Sequence, residues 1–267
     1  MLPLKNASRL FLLLFLLATG TAFADVLDDV LERGSIRIGV SEFVPWTMKD
    51  ADGALQGFEI DVGRKLASDM GVTAEFVAYE WSDIIPAVQN GEVDVIAAGM
   101  AITPERALKV NFSRPIAVSG VGLALNAKLT EDLEALSELN RPDVKICVVK
   151  GTLADSVART LFDRASIHTF SDNAEAEEML LEDRAEAYVA SMPAIVFMVL
   201  RNTEKVSIPI NEPLVASSEA IAVKKGEQEL LNFLDAWVTA RTSDKWLLTT
   251  RDYWFGTLDW ASSGAEQ

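Results

Sequence analysis

Along this chain, short segments in which apolar and polar residues alternate give way repeatedly to stretches in which apolar residues recur every three or four positions. Ser35 to Val40 (SIRIGV) alternates as a strand does. Phe58 to Met70 carries Ile60, Leu66 and Ala67 on one helical face, and Thr73 to Ala78 alternates again. Ser82-Asp83 opens a helix bearing Ile84, Ile85 and Val88, Asn90-Gly91 stops it, and Val93 to Ala97 (VDVIA) is a third strand. Strand, helix and strand in this order predict a mostly parallel sheet covered by helices.

The rhythm then breaks and restarts. Gly120 to Leu125 (GVGLAL) reads as a strand and is followed by the polar segment Asn126 to Arg141. A new unit begins with strand Val144 to Val149, a helix from Thr152, a strand near Ile167 to Phe170, helix Ala174 to Glu182 and strand Ala187 to Ala190. Later, Glu219 to Val223 (EAIAV) is strand-like, and a helix follows from Glu227 to Thr239. The expected organisation is an α/β protein of two lobes, one from residues 25–122 plus 219–267 and the other from 123–218, with the chain crossing between them twice. Residues 261–267 read as a disordered tail.

The first 24 residues stand apart from this pattern. Lys5 and Arg9 precede the apolar run Leu10 to Ala18, and Ala22-Phe23-Ala24 ends the segment before Asp25. That is the layout of a secretory signal peptide cleaved after Ala24, and the run is shorter than the ~20 residues a membrane-spanning helix needs. The expected location is the periplasm. Removing two basic residues takes the formal charge from −16 to −18, with 22 Lys and Arg against 40 Asp and Glu. Such a surface repels phosphate backbones and anionic lipid, which argues against nucleic-acid and membrane-surface partners.

A single cysteine, Cys147, and a single histidine, His168, leave no intrachain disulfide and exclude the usual zinc sites and multi-residue His or Cys catalytic sets. Cys147 lies in an apolar strand-like run and reads as an inert buried thiol. No metal and no cofactor is expected.

Six segments in order carry a resemblance: Gly53 to Asp61 (GALQGFEID), Trp81 to Pro86 (WSDIIP), Gly91 to Val95 (GEVDV), Ile102 to Arg106 (ITPER), Phe112 to Pro115 (FSRP) and Lys150 to Thr152 (KGT). In sequence and spacing the chain resembles the family-3 bacterial extracellular solute-binding proteins, which include amino-acid receptors of ABC importers. The resemblance implies a type II periplasmic-binding-protein fold, with two crossing strands as hinge. Its partners would be an amino-acid-like ligand and the membrane subunits of an importer, and the chain itself would be a monomer.

The resemblance also assigns a site. Arg106 would form a bidentate pair with the ligand carboxylate, a role suited to a planar guanidinium that stays charged. Thr103 reads as an N-cap with Pro104 at N1, placing Arg106 in the first turn of a helix. A surface Arg106 paired with Glu105 or Asp94 is the competing reading. Gly99 would offer a carbonyl to an ammonium and Ala101 an amide to the carboxylate, Ala101 standing where Ser or Thr is usual. Gly151 and Thr152 would supply an amide and a hydroxyl from the second lobe, although an ordinary helix cap explains Thr152 equally well. Phe43 and Trp81 would line the side-chain pocket, and Trp46 suits core packing better. The aromatics from Trp237 to Trp260 are expected to pack on the first lobe.

One departure matters more than the rest: Ser191 stands where an Asp commonly meets the ligand ammonium, leaving Glu42, Glu80 or Asp83 as substitutes or a ligand without that group. Two other classes stay open. One is a cyclohexadienyl-dehydratase-like enzyme using a cleft carboxylate such as Glu80 or Glu186; the other is an accessory or sensory binding protein.

Overall fold

The computed structural model describes residues 25–257 and Trp260. The signal-peptide reading of residues 1–24 and the tail reading of 261–267 lie outside the described residues. Helix α1 (Val26–Arg33) leads into strand β1 (Ser35–Val40), followed by the short strands β2 (Met48–Lys49) and β3 (Leu55–Gln56). Helix α2 (Phe58–Met70), β4 (Thr73–Ala78), α3 (Ile84–Gln89), β5 (Val95–Ile96) and the single turn α4 (Pro104–Ala107) complete the first run. Strand β6 (Val110–Asn126) then carries the chain into the second half.

That half holds β7 (Lys145–Val149), α5 (Leu153–Leu161), β8 (Ser166–Phe170), α6 (Asn173–Leu181), β9 (Ala187–Ser191), α7 (Met192–Arg201) and β10 (Val206–Ser207). Strand β11 (Val215–Lys224) returns, α8 (Gln228–Ser243) and α9 (Trp246–Arg251) follow, and a π-helical segment (Asp252–Thr257) closes the order.

A nine-stranded sheet runs β4-β1-β5-β11-β6-β9-β7-β8, with β10 beside β6. Strand β1 pairs parallel with β4 and β5, and β7 pairs parallel with β8 and β9. The two crossing strands, β6 and β11, are antiparallel and paired from Val110↔Lys224 to Val121↔Val215. Their ladder slips on either side of Ala220, so the regular pairing is interrupted where the halves meet.

Side chains alternate across each part of the sheet, and both faces are covered. In the second half Ile146, Val148, Ala187 and Val189 face the core with α5, whereas Cys147, Tyr188 and Ala190 face the one with α6 and α7. In the first half Ile36, Ile38 and Val40 pack with Phe58, Leu66 and Trp237, and Ile96 packs on the other side with Ile84 and Met100. Burial on two faces is what parallel strands require. Cys147 is buried, and burial pushes its thiol up to about 12, in keeping with an inert side chain. Among the described residues no helix is long and apolar enough to cross a membrane, and no group of His, Cys, Asp and Glu is arranged to hold a metal ion.

The C-terminal aromatics pack on the first half as expected, apart from the exposed Tyr253, which lies edge-on to Trp254. Trp237 donates to Asp69 and Trp254 to Asp61 on the first half, and Phe255 lies 4.5 Å from Trp46. Trp260 packs on the same core, its indole donating to the Trp254 carbonyl at 3.0 Å, and it also stacks on Phe197 of α7 at 5.0 Å.

Candidate functional site

Between the halves lies a cavity of about 840 Å³, a size suited to a small-molecule ligand. Its floor comes from loops at strand ends, where backbone turns free side chains from the ladder. After β1, Phe43 and Thr47 exchange backbone hydrogen bonds of 2.8 and 2.9 Å, a tight loop that holds Trp46 inward. Trp46 is 1% exposed, packs edge-on to Phe58 at 5.6 Å and still lines the cavity, so it serves core and cleft together. Gly99 has φ +60, and a Cβ there would come within 2.9 Å of the Trp46 ring. Only glycine allows that approach without displacing the indole.

Arg106 is 8% exposed and lines the cavity. Thr103 caps its turn, accepting from the Arg106 amide at 3.2 Å, with Pro104 following as the spacing implies. The helix is four residues long, so its dipole adds little and the guanidinium itself is the anion-attracting group. Its Nη1 donates to the Ala101 carbonyl at 2.9 Å, its Nη2 reaches the Gly151 carbonyl at 3.4 Å, and its Cζ lies 5.0 Å from the Trp81 ring centroid. Burial lowers its pKa to about 10, with Glu105 opposing, and it stays fully charged at neutral pH.

The competing surface-pair reading does not describe this geometry. Asp94 accepts from Arg33 at 2.5 Å and from Arg37 at 2.6 Å, and Glu105 faces Lys109 at 3.4 Å. Among the described residues Arg106 has no carboxylate within ion-pair distance.

Among the described residues, three hydrogen bonds join the halves across the cavity. The Trp81 indole donates to the Gly151 carbonyl at 3.1 Å, Arg106 reaches the same oxygen, and the Trp46 indole donates to Ser191 Oγ at 3.2 Å. Gly99, Ala101, Trp81, Phe43, Thr152 and Ser191 all line the space, whereas Gly151 is not part of the lining and its carbonyl accepts from Trp81 and Arg106.

The second-half donors assigned by resemblance are engaged locally. The Gly151 amide donates to Asp155 Oδ2 at 3.0 Å, and Thr152 Oγ1 accepts from the Asp155 amide at 3.2 Å while donating to Val149 at 2.8 Å. Asp155 thus reaches back to Gly151 rather than closing a box on Thr152.

Sequence reasoning missed several lining residues: Thr47, Lys49, Glu177, Arg201 and Glu219. Of the carboxylates it offered, Glu42 pairs with Lys49, Glu80 lines the cavity from an exposed position, and Asp83 is not part of the lining. Glu186 accepts from the Lys145 amide at 2.7 Å and does not line the cavity either.

Three carboxyls titrate high because burial disfavours their charge. Glu59 is pushed to about 8, against the pull of the Gly99 amide at 2.6 Å and with the Glu219 charge adding to the rise. Glu219 rises to about 7 despite hydrogen bonds from Ser217 and Ser119, and Glu177 to about 7 despite Arg201. The folded chain therefore keeps protons that an unfolded chain, with carboxyls near 4.5, has released. Stability should fall as pH rises from about 5 to about 8. Scanning calorimetry is expected to show a higher melting temperature at pH 5 than at pH 8, and Glu59→Gln should flatten that slope.

With this geometry in place, likeness to known proteins decides the family. Residues 36–257 match the model of the bacterial extracellular solute-binding proteins, family 3. The chain belongs to that family. The chain is also similar to the L-cystine-binding protein TcyJ of Escherichia coli (strain K12), at 24% identity over 238 residues, 88% of each chain.

Two solved structures share the fold. The ancestral amino acid-binding protein AncCDT-1, described as a precursor of cyclohexadienyl dehydratase, has a TM-score of 0.79 and 33% identity, covering 87% of this chain and 100% of its own. A putative ABC-transporter binding component from Wolinella succinogenes, complexed with lysine, has a TM-score of 0.81 and 28% identity, covering 86% and 99%. The family-3 architecture of two lobes joined by paired crossing strands is the one described above.

Proposed function

We propose that this protein captures an amino acid or amino-acid-like carboxylate in the cleft between its lobes, in the periplasm, and delivers it to an ABC importer. The observation that carries this reading is Arg106: a guanidinium at 8% exposure, facing a cavity, with no carboxylate partner among the described residues. A buried charge left unmatched is costly, and a ligand carboxylate would match both its charge and its forked geometry. Trp81 stacks on the same guanidinium and narrows the space in which an anion can sit. On this reading the lobes comprise 25–122 plus 219–267 and 123–218, and they rotate about β6 and β11. Contacts made with both lobes favour the closed form, and the importer recognises that shape.

Binding needs no general acid, base or nucleophile, and the protein is not an enzyme on this reading. The relation to a dehydratase precursor makes the alternative concrete. Native mass spectrometry of protein purified without denaturation, followed by thermal-shift titration with L-lysine, L-glutamine and L-cystine, tests the proposal. A retained small molecule and a saturable rise in melting temperature are expected. Aromatic product from prephenate or arogenate would overturn the binding-only reading.

A further inference from the structure

The site as read so far holds a carboxylate and assigns only the neutral Gly99 carbonyl, and no acid, to a ligand's positive charge, since Ser191 replaces the usual acid and its Oγ accepts from Trp46. The cavity's other carboxylates are mostly accounted for. Glu42 is paired with Lys49, Asp172 caps α6 by accepting from the Glu175 amide, Glu177 is offset by Arg201, and Glu80 is exposed.

Glu219 differs from all of these. It lines the cavity from the crossing strand β11 and is 2% exposed. Ser119 on β6 donates to its Oε1 at 2.9 Å, and Ser217 donates to the same oxygen. Two hydroxyls on one oxygen fix the rotation of the carboxyl group. The other oxygen, Oε2, is buried without a hydrogen-bond partner among the described residues, and so is Thr47 Oγ1, which lines the same cavity. A buried acceptor with no donor is the feature a bound cation would complete.

We propose that Glu219 is the residue that pairs with the positively charged group of the bound solute, in place of the acid that Ser191 lacks. The inference rests on the reading of the cleft as an amino-acid site. Its placement suits the role, because Glu219 lies directly across an antiparallel bridge from Ala101. Opposed side chains at such a bridge are close, and alanine leaves space for a neighbouring carboxylate that a larger residue would contest. The two positions that depart from the family pattern, Ala101 and Ser191, are thereby accounted for together. Glu219 and its two serines also sit on the strands that join the lobes, so capture of the cation is made at the hinge and capture of the carboxylate by Arg106.

The test compares wild type, Glu219→Gln and Arg106→Ala by calorimetric titration with L-lysine, L-glutamine and L-cystine, each beside its counterpart lacking the α-amino group. Wild type is expected to prefer at least one amino acid over its des-amino counterpart by about 100-fold. Glu219→Gln should reduce that preference to tenfold or less, with affinity for the des-amino compound within threefold of wild type. Glu219→Asp, which keeps the charge on a shorter arm, serves as a second variant and should retain the direction of the preference with about tenfold weaker binding. An undiminished preference in Glu219→Gln, while Arg106→Ala binds nothing, overturns this inference and leaves the amino-acid reading standing. Absence of binding by wild type to all three amino acids overturns both.

Discussion

Arg106→Ala should abolish the ligand-induced rise in melting temperature while the unliganded protein still folds. The wild-type guanidinium is held by the Ala101 carbonyl at 2.9 Å and faced by the Trp81 ring, so it meets an incoming carboxylate already oriented. Truncating one partner of a desolvated, hydrogen-bonded charge pair costs about 2–5 kcal/mol, roughly 30- to several-thousand-fold in affinity. The unliganded fold loses far less, because the buried cation it gives up is not offset by any ion pair among the described residues. Its own melting temperature should move by only a few degrees. Arg106→Lys, which keeps the charge and loses the fork, should fall between the two. Calorimetry and thermal shift with L-lysine and L-cystine check this, and an unchanged shift in Arg106→Ala would remove the guanidinium from the site.

Gly57→Ala should have the largest effect on the fold itself. Gly57 precedes α2 at φ +131, a conformation that side-chain-bearing residues rarely adopt, and a Cβ there would lie 2.3 Å from the Trp46 carbonyl oxygen. Backbone strain of about 1–3 kcal/mol adds to a clash with main chain, which has no rotamer through which to yield. A loss of at least about 3 kcal/mol lowers the melting temperature by roughly 6–12 °C in a chain of this size. Ligand affinity should fall as well, since relief requires moving the loop that holds Trp46. Gly53→Ala is the control: φ is +82 but nothing lies within 4 Å of the added methyl, so it should cost about 1 kcal/mol and leave binding unchanged. Equal losses from the two variants would show that φ alone, and not contact with Trp46, sets the cost.

Much of the fold was written in periodicity. The bounds of β1, α2 and β4 coincide with the expected segments; β1 alternates from just after Gly34, α2 runs between Gly57 and Gly71, and β4 begins two residues after Gly71. Helix α7 escaped notice because MPAIVFMVLR is apolar on nearly every side, and without a polar face periodicity has nothing to report. Pro193, in its first turn, was the available signal. The first part of β6, Val110 to Ser119, was missed because Arg114 and Pro115 interrupt the alternation. There the strand runs out of one half, and Pro115 sits beside the irregular pairing at Ala220.

The candidate site was legible where a motif carries its own geometry. Thr103, Pro104 and Arg106 fix one another within a single turn. Glu219 was not legible, because in EAIAV it reads as the polar member of an alternating strand. Only the bridge to Ala101 and the neighbouring serines on β6 and β11 show which way that polar position faces. Glu177 and Arg201 were hidden for a related reason: they belong to helices whose rotation toward the cleft is set by packing on the sheet.

The position of β11 between β5 and β6 bears on how the polypeptide acquires its shape. Strands β1, β4 and β5 come early in the chain, yet the strand that joins them to β6 is encoded after the whole second half. A chain emerging N-terminus first can pair β6, β7, β8 and β9 among themselves well before residue 224 arrives. The earlier strands must wait with the β5 edge open until the return strand pairs with it. Completion of the first half is thereby postponed to the last quarter of the polypeptide, after the second half has its partners.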